Sequence, residues 1–159
     1  MDARPILARI ARILREQGLE AVLIGNAAAA LQGAPVTTID FDFMFRKTAV
    51  NRRKLRAVAK SLGAALFRPY YPASGLHRIM RDEDSLQLDF MATVDGVKSF
   101  ESLRSRAARI DFDGDVLLVA DLADVVASKR AAGRPRDRAV LEVLEHALEE
   151  KKNLKKGEA

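Results

Sequence analysis

Apolar residues recur at helical spacing near the start of the chain. Ile6, Leu7, Ile10, Ile13 and Leu14 share one face of residues 4–18, which predicts an amphipathic helix stopped by Gly18. Ala21–Ile24 is a short unbroken apolar run, the pattern of a buried strand. Residues 26–31 are alanine-rich and predict a short helix, ended by Gly33-Ala34-Pro35. From 38 to 45 the period falls to two. Ile39, Phe41, Phe43 and Phe45 face one way and Asp40, Asp42 and Met44 the other, as in a half-buried strand.

Further along, residues 51–62 predict a helix closed by Gly63, and residues 64–75 hold an apolar piece and a Pro-Tyr-Tyr-Pro loop at 69–72. Tyr70 and Tyr71 in that loop either pack on the core or stack on a base. His77–Arg81 and residues 86–92 read as two strands joined by the acidic turn Asp82-Glu83-Asp84. A hairpin follows at 108–112 and 116–119 around Asp113-Gly114. Two helices, 121–132 and 136–152, close the chain on either side of Gly133-Arg134-Pro135. No repeat, linker or composition break interrupts this series. One α/β domain is expected over 1–150, followed by a basic tail at 151–159 that frays.

Composition narrows the chemistry. The 159 residues include no cysteine, which excludes disulfides, thiolate catalysis and Cys-based zinc sites. His77 and His146 lie far apart in unlike segments, so a metal is expected on carboxylates, which suit hard cations such as magnesium. No apolar run approaches the roughly 18 residues of a membrane span, and no signal-peptide pattern opens the chain. A cytoplasmic protein without a membrane partner is expected. The net charge of +5 fits a polyanionic partner, although the lysines of the tail supply part of it and need no partner.

Four pieces carry candidate chemistry. Gly25-Asn26 joins a strand to a helix, where backbone N–H groups gather at the helix start and Asn26 can cap or donate; the pair is equally a common turn. Asp40 and Asp42 point to the same strand face with Cα atoms roughly 6–7 Å apart. Carboxylates that close repel each other unless a divalent cation lies between them. Alone, the pair fits the exposed face of an edge strand just as well. Asp89 sits on the polar side of Leu86-Gln87-Leu88-Asp89-Phe90 and joins the pair if the two strands share a sheet. Three carboxylates on one face suit two metal ions about 3.5–4 Å apart. Finally, Lys129 and Arg134, beside Asp124 and Asp137, either neutralise phosphate or decorate a helix surface. Arg46, Lys47, Arg52, Arg53, Lys54 and Arg56 form a basic stretch without interleaved aromatics, which reads as a solvated helix face or a guide for RNA.

In order and spacing these pieces resemble the nucleotidyltransferase (polymerase-beta-like) superfamily, and in particular the small bacterial AbiE-type, type IV toxin-like proteins. The matching residues are Gly25-Asn26, Gly33, Thr38, Asp40-Phe41-Asp42, Asp89, Lys129 and Gly133-Arg134-Pro135-Arg136-Asp137. The resemblance implies an α/β (α+β) nucleotidyltransferase fold, a mixed central sheet flanked by helices. It implies transfer of a nucleoside monophosphate from a nucleoside triphosphate to an acceptor hydroxyl on tRNA, protein or a small molecule. Asp40, Asp42 and Asp89 would be the catalytic metal ligands, for two magnesium ions with manganese as a substitute. Gly25, Asn26, Thr38 and Lys129 would bind the nucleotide, and Asp137 would tie the last two helices together. A toxin-antitoxin or phage-defence role with a cognate toxin or antitoxin is implied as well. Two departures stand out: Asn26 replaces the usual Ser or Gly, and Val36 stands where many relatives carry Arg. They motivate the alternative of a weak or inactive module that binds nucleotide, RNA or a partner protein.

Overall fold

The phenylalanines of the alternating strand find their partners on another strand distant in sequence. Phe43 stacks on Phe90 with ring centroids 4.9 Å apart, and Phe45 meets the same ring edge-on at 5.9 Å. Burying rings and aliphatic chains of this size stabilises the fold by roughly 1.5–3 kcal/mol per side chain. Around them the computed structural model, which describes residues 3–69 and 75–158, builds one sheet with helices on it. Tyr70 and Tyr71 lie outside the described residues.

The elements in chain order are α1 (Arg4–Gln17), β1 (Ala21–Ile24), α2 (Gly25–Leu31), β2 (Asp40–Phe45), α3 (Ala49–Ser61), β3 (Ala65–Phe67), β4 (His77–Arg81), β5 (Leu86–Met91), α4 (Phe100–Arg106), β6 (Ala108–Phe112), β7 (Asp115–Val119), α5 (Leu122–Ala132) and α6 (Pro135–Glu158). The strands form a seven-stranded mixed sheet in the order β3-β4-β5-β2-β1-β7-β6. β1 runs antiparallel to β2 and parallel to β7, and β2 runs parallel to β5. All four residues of β1 are buried, as expected for a strand covered on both faces. The helical stripe on α1 buries Leu7, Ile10, Ala11, Ile13 and Leu14, and Gly18 ends it in the left-handed conformation.

The α/β architecture with a mixed central sheet is the expected one, and three local details differ. β2 starts at Asp40, and Ile39, expected on the apolar face, lies outside the strand with 82% of its surface exposed. Met44, on the expected polar side, is buried, because that face is open only at the aspartate end of the strand. α4 has no counterpart among the predicted elements. At seven residues it is too short to show a period, and its start is marked only by Ser99, whose hydroxyl accepts from the Ser102 N–H. The basic tail forms the last turns of α6 and is exposed from Lys152 to Gly157. Among the described residues no helix is long and apolar enough to cross a membrane.

Candidate active site

β2 and β5 lie side by side and parallel, with Asp42 opposite Asp89 and Asp40 opposite Gln87. The period of two then does the rest. Asp40, Asp42 and Asp89 share one face, opposite the one that buries the phenylalanines. They line a cleft of about 990 Å³ together with Gly25, Asn26 and Lys129.

Gly25 follows β1 directly and has φ +70°, a region that favours glycine. A Cβ there would lie 3.2 Å from Asp42 Oδ2, so the missing side chain is what lets the start of α2 approach the carboxylate. Gly25→Ala is therefore expected to displace Asp42 and to add about 1–3 kcal/mol of strain at this positive φ, lowering the melting midpoint by roughly 2–12 °C. Thermal melting of the two proteins checks this.

Asn26 does not cap α2. The cap position is Ile24, whose side chain has no group to offer, and Asn26 stands inside the first turn. Its Oδ1 is buried without a hydrogen-bond partner among the described residues. Thr38 also reaches the cleft, but its hydroxyl donates to the Asp40 carbonyl at 2.6 Å and so shapes the entry to β2.

Electrostatically the centre of this site is Asp42. Burial raises its pKa from 3.8 to about 6, and the charges of Asp89 and Asp40 push the same way, against Lys129 and Arg136. Negative charge is thus concentrated here beyond what neighbouring cations offset. Asp89 is differently placed. Arg78, its register partner on β4, grips it through two bonds, Nε to Oδ1 at 2.8 Å and Nη2 to Oδ2 at 3.0 Å. Gln87 adds a donor at 3.2 Å to Oδ2. Accordingly, among the described residues no three acidic or histidine side chains are gathered closely enough to hold a metal ion together. Two hard oxygen donors with unmatched charge, Asp40 and Asp42, fit one magnesium ion; engaging Asp89 with a second requires Arg78 to release it.

Lys129 and Arg134 come from the far side of the cleft. Asp137, fully buried, accepts from Arg134 Nε at 2.6 Å, from the Arg134 backbone N–H at 3.2 Å and from Lys129 Nζ at 3.4 Å. It ties α5 to α6 and holds Lys129 at the cleft wall. Arg78 and Arg136 also line the cleft; the sequence reading passed over Arg78 and named Arg136 only within the Gly133–Asp137 motif, without a role. Arg78 had a usable signal, since it precedes Ile79 on a strand that had to pair next to Asp89. Arg136 had none, being one arginine among several near a turn.

The sequence profile of one family, described as nucleotidyl transferase of unknown function (DUF2204), matches residues 3–157. No curated protein matches the chain by sequence. Among solved structures, ANT(2")-Ia in complex with adenylyl-2"-tobramycin superposes with a TM-score of 0.62 at 13% identity, covering 94% of this chain and 91% of its own. The lincosamide antibiotic adenylyltransferase LnuA, with lincomycin bound, gives 0.61 at 11% identity over 87% of this chain and 94% of its own. An antigenic nucleotidyltransferase-like protein from Paracoccidioides brasiliensis gives 0.57 at 13% identity over 91% and 74%. At these identities the likeness is one of fold.

Proposed function

Because the chain belongs to this DUF2204 family of nucleotidyl transferases, we propose that its cleft moves a nucleoside monophosphate from a nucleoside triphosphate to an acceptor hydroxyl, with magnesium. The observation that carries the reading is the unmatched negative charge of Asp40 and Asp42 at the cleft, opposite Gly25. The adenylyltransferase LnuA, and ANT(2")-Ia with its bound adenylyl-2"-tobramycin, share the fold and support transfer of a nucleoside monophosphate.

In this reading the new bond joins the acceptor oxygen to the α-phosphorus, and the bond from that phosphorus to the bridging oxygen breaks. Pyrophosphate leaves. Magnesium held by Asp40 and Asp42 supplies neutralisation of triphosphate charge. Gly25 and Asn26 lie against the phosphates, Thr38 fixes the start of β2, and Lys129 and Arg136 face the charge that develops on the leaving group. Asp89 takes the proton of the acceptor hydroxyl once the triphosphate draws Arg78 away. A second ion through Asp89, or manganese in place of magnesium, belongs to the same proposal. The choice of acceptor, whether tRNA, protein or small molecule, and a toxin-antitoxin or phage-defence setting with a cognate partner rest on the sequence resemblance.

The test is incubation with magnesium, each labelled triphosphate in turn, and total RNA or lysate. Labelled product is expected, and Asp40→Ala with Asp42→Ala should reduce it by roughly a thousandfold. No label from any nucleotide would sink the reading. The Arg78–Asp89 pair favours a second one, a module that binds nucleotide without turnover. Turnover in the labelled-triphosphate assay separates the two, and Arg78→Met tests whether Asp89 belongs to the cation site. Freeing Asp89 is expected to tighten manganese binding, read by electron paramagnetic resonance without nucleotide, about tenfold. Unchanged binding would place Asp89 outside the cation site.

A further inference from the structure

The strand register continues past the carboxylates. Asp42 stands opposite Asp89, Asp89 opposite Arg78 and Arg78 opposite Phe67, so four strands set these side chains in one row on one face of the sheet. Neighbouring strands are about 4.8 Å apart, which puts Phe67 roughly 10 Å beyond Asp89. Met80 flanks the row on the same face, two residues along β4 from Arg78.

This end of the face is open. On β3 and β4 the alternate residues Leu66 and Ile79 turn to the core, whereas Phe67 has 41% of its surface exposed and Arg78 and Met80 are half-buried. One exposed ring is ordinary on a protein surface. A ring at the end of a row that runs through Arg78 and Asp89 to Asp42 is placed for a molecule that lies along that row.

Charge here is positive. Arg78 donates to Asp89 through Nε and Nη2, and its Nη1 has no partner among the described residues. Lys47 lines the cleft beside Gly75, just before β4. Among the described residues of β3, β4 and β5 that line the cleft, Asp89 is the one acid, and Arg78 already matches its charge. An amine-rich acceptor finds no carboxylate to pair with at this end, while an anion finds the free Nη1 of Arg78.

We propose that this end of the face is the acceptor subsite and that the acceptor is a nucleoside phosphate, its base stacked on Phe67, its phosphate on Arg78 and a ribose hydroxyl at Asp89. Cation, carboxylate and exposed ring in one row match phosphate, hydroxyl and flat ring in one molecule. The assignment rests on the transfer reading of the cleft. The attacking atom of that step is then a ribose oxygen, and the bonds made and broken are unchanged. The acceptor phosphate draws Arg78 in the same sense as the triphosphate does, which frees Asp89 for the hydroxyl proton.

The chain has no tryptophan, so Phe67→Trp places a single fluorophore at the subsite. The variant is titrated with AMP, GMP, CMP and UMP in turn, in chelator and without triphosphate, so the readout does not depend on turnover. Saturable quenching by at least one of them is expected. The matching nucleoside, which lacks the phosphate, should bind at least about tenfold more weakly. Ribose 5-phosphate, which lacks the base, should compete roughly fivefold or more less well. Calorimetry with the same monophosphate should show Phe67→Ala weaker than wild type by roughly fivefold or more, and Arg78→Gln by about tenfold. Val116→Ala, which trims an exposed apolar residue elsewhere, should bind as wild type does. A 5′-phosphorylated trinucleotide that binds more tightly than the monophosphate supports the subsite with a nucleic-acid end as acceptor, and equal binding supports it with a free nucleotide. The proposal is overturned if no monophosphate quenches the tryptophan, if the nucleoside binds as tightly as its phosphate, or if wild type and Phe67→Ala bind alike. Absence of labelled product in the transfer assay, with this binding intact, would instead count against the transfer reading.

Discussion

Asp42→Asn is expected to make the protein more stable and unable to transfer a nucleotide. The folded state raises the Asp42 pKa from 3.8 to about 6, because burial and the adjacent Asp89 and Asp40 disfavour its charge. Below the lower value both folded and unfolded chains hold the proton, and the carboxyl costs nothing. As the pH rises through this window the unfolded chain ionises first, so stability is lost up to about pH 6 and is then level. A difference of this size corresponds to about 3 kcal/mol, and solvent at the cleft mouth reduces it to about 1–3 kcal/mol. Asparagine keeps the shape without the charge. At pH 7 without divalent ions its melting midpoint should exceed that of the wild type by roughly 2–12 °C, and below about pH 4 the two should converge. Magnesium should raise the wild-type midpoint and leave the variant nearly unchanged. Scanning calorimetry across pH, with and without magnesium, gives all of these values. Equal stabilities at pH 7 would show that Asp42 carries no such strain.

Asp137→Ala is expected to act in the opposite direction. Asp137 has no exposed surface and accepts from both Arg134 and Lys129. Burial works against its charge, but the hydrogen bond and charge of Arg134, with Lys129 behind, outweigh it and hold the pKa below the ordinary carboxylate value. Removing the carboxylate leaves Lys129 half-buried without its partner and separates the start of α6 from α5. Losing one member of a buried ion pair costs about 3 kcal/mol, or roughly 6–12 °C in midpoint for a chain of this size. The sign of the pH dependence follows. The stability that Asp137 gives is present above the unfolded pKa and is lost as the pH falls through the lower folded value, so variant and wild type should converge in strong acid. Lys129, released from the cleft wall, should also grip the triphosphate less well. Urea denaturation at neutral and low pH measures the first effect.

Much of the fold can be read from period alone. Phe41, Phe43 and Phe45 alternate with Asp40 and Asp42, and only a half-buried strand places these five residues on opposite sides in this way. The same reading fails where period has no length to act on. α4 has two turns, and β3 has three residues on the sheet edge. Ile39 misleads because alternation continues one residue beyond the strand. At the cleft, residue types in order were enough to gather Asp40, Asp42, Asp89, Gly25 and Lys129, because register is dictated by the apolar face. What alternation cannot supply is which neighbour a charged group chooses. The grip of Arg78 on Asp89 depends on the exact register of β4 against β5, which the acidic turn between them announces but does not fix.

Binding of ATP or another nucleoside triphosphate, measured by calorimetry with magnesium and again with chelator, tests the central role of Asp40 and Asp42 most directly. The expected result is affinity at least about tenfold higher with magnesium, a difference of about 1.4 kcal/mol, which disappears in Asp40→Ala/Asp42→Ala. Triphosphate binding that is equally tight without magnesium, and unaltered in that variant, would contradict it.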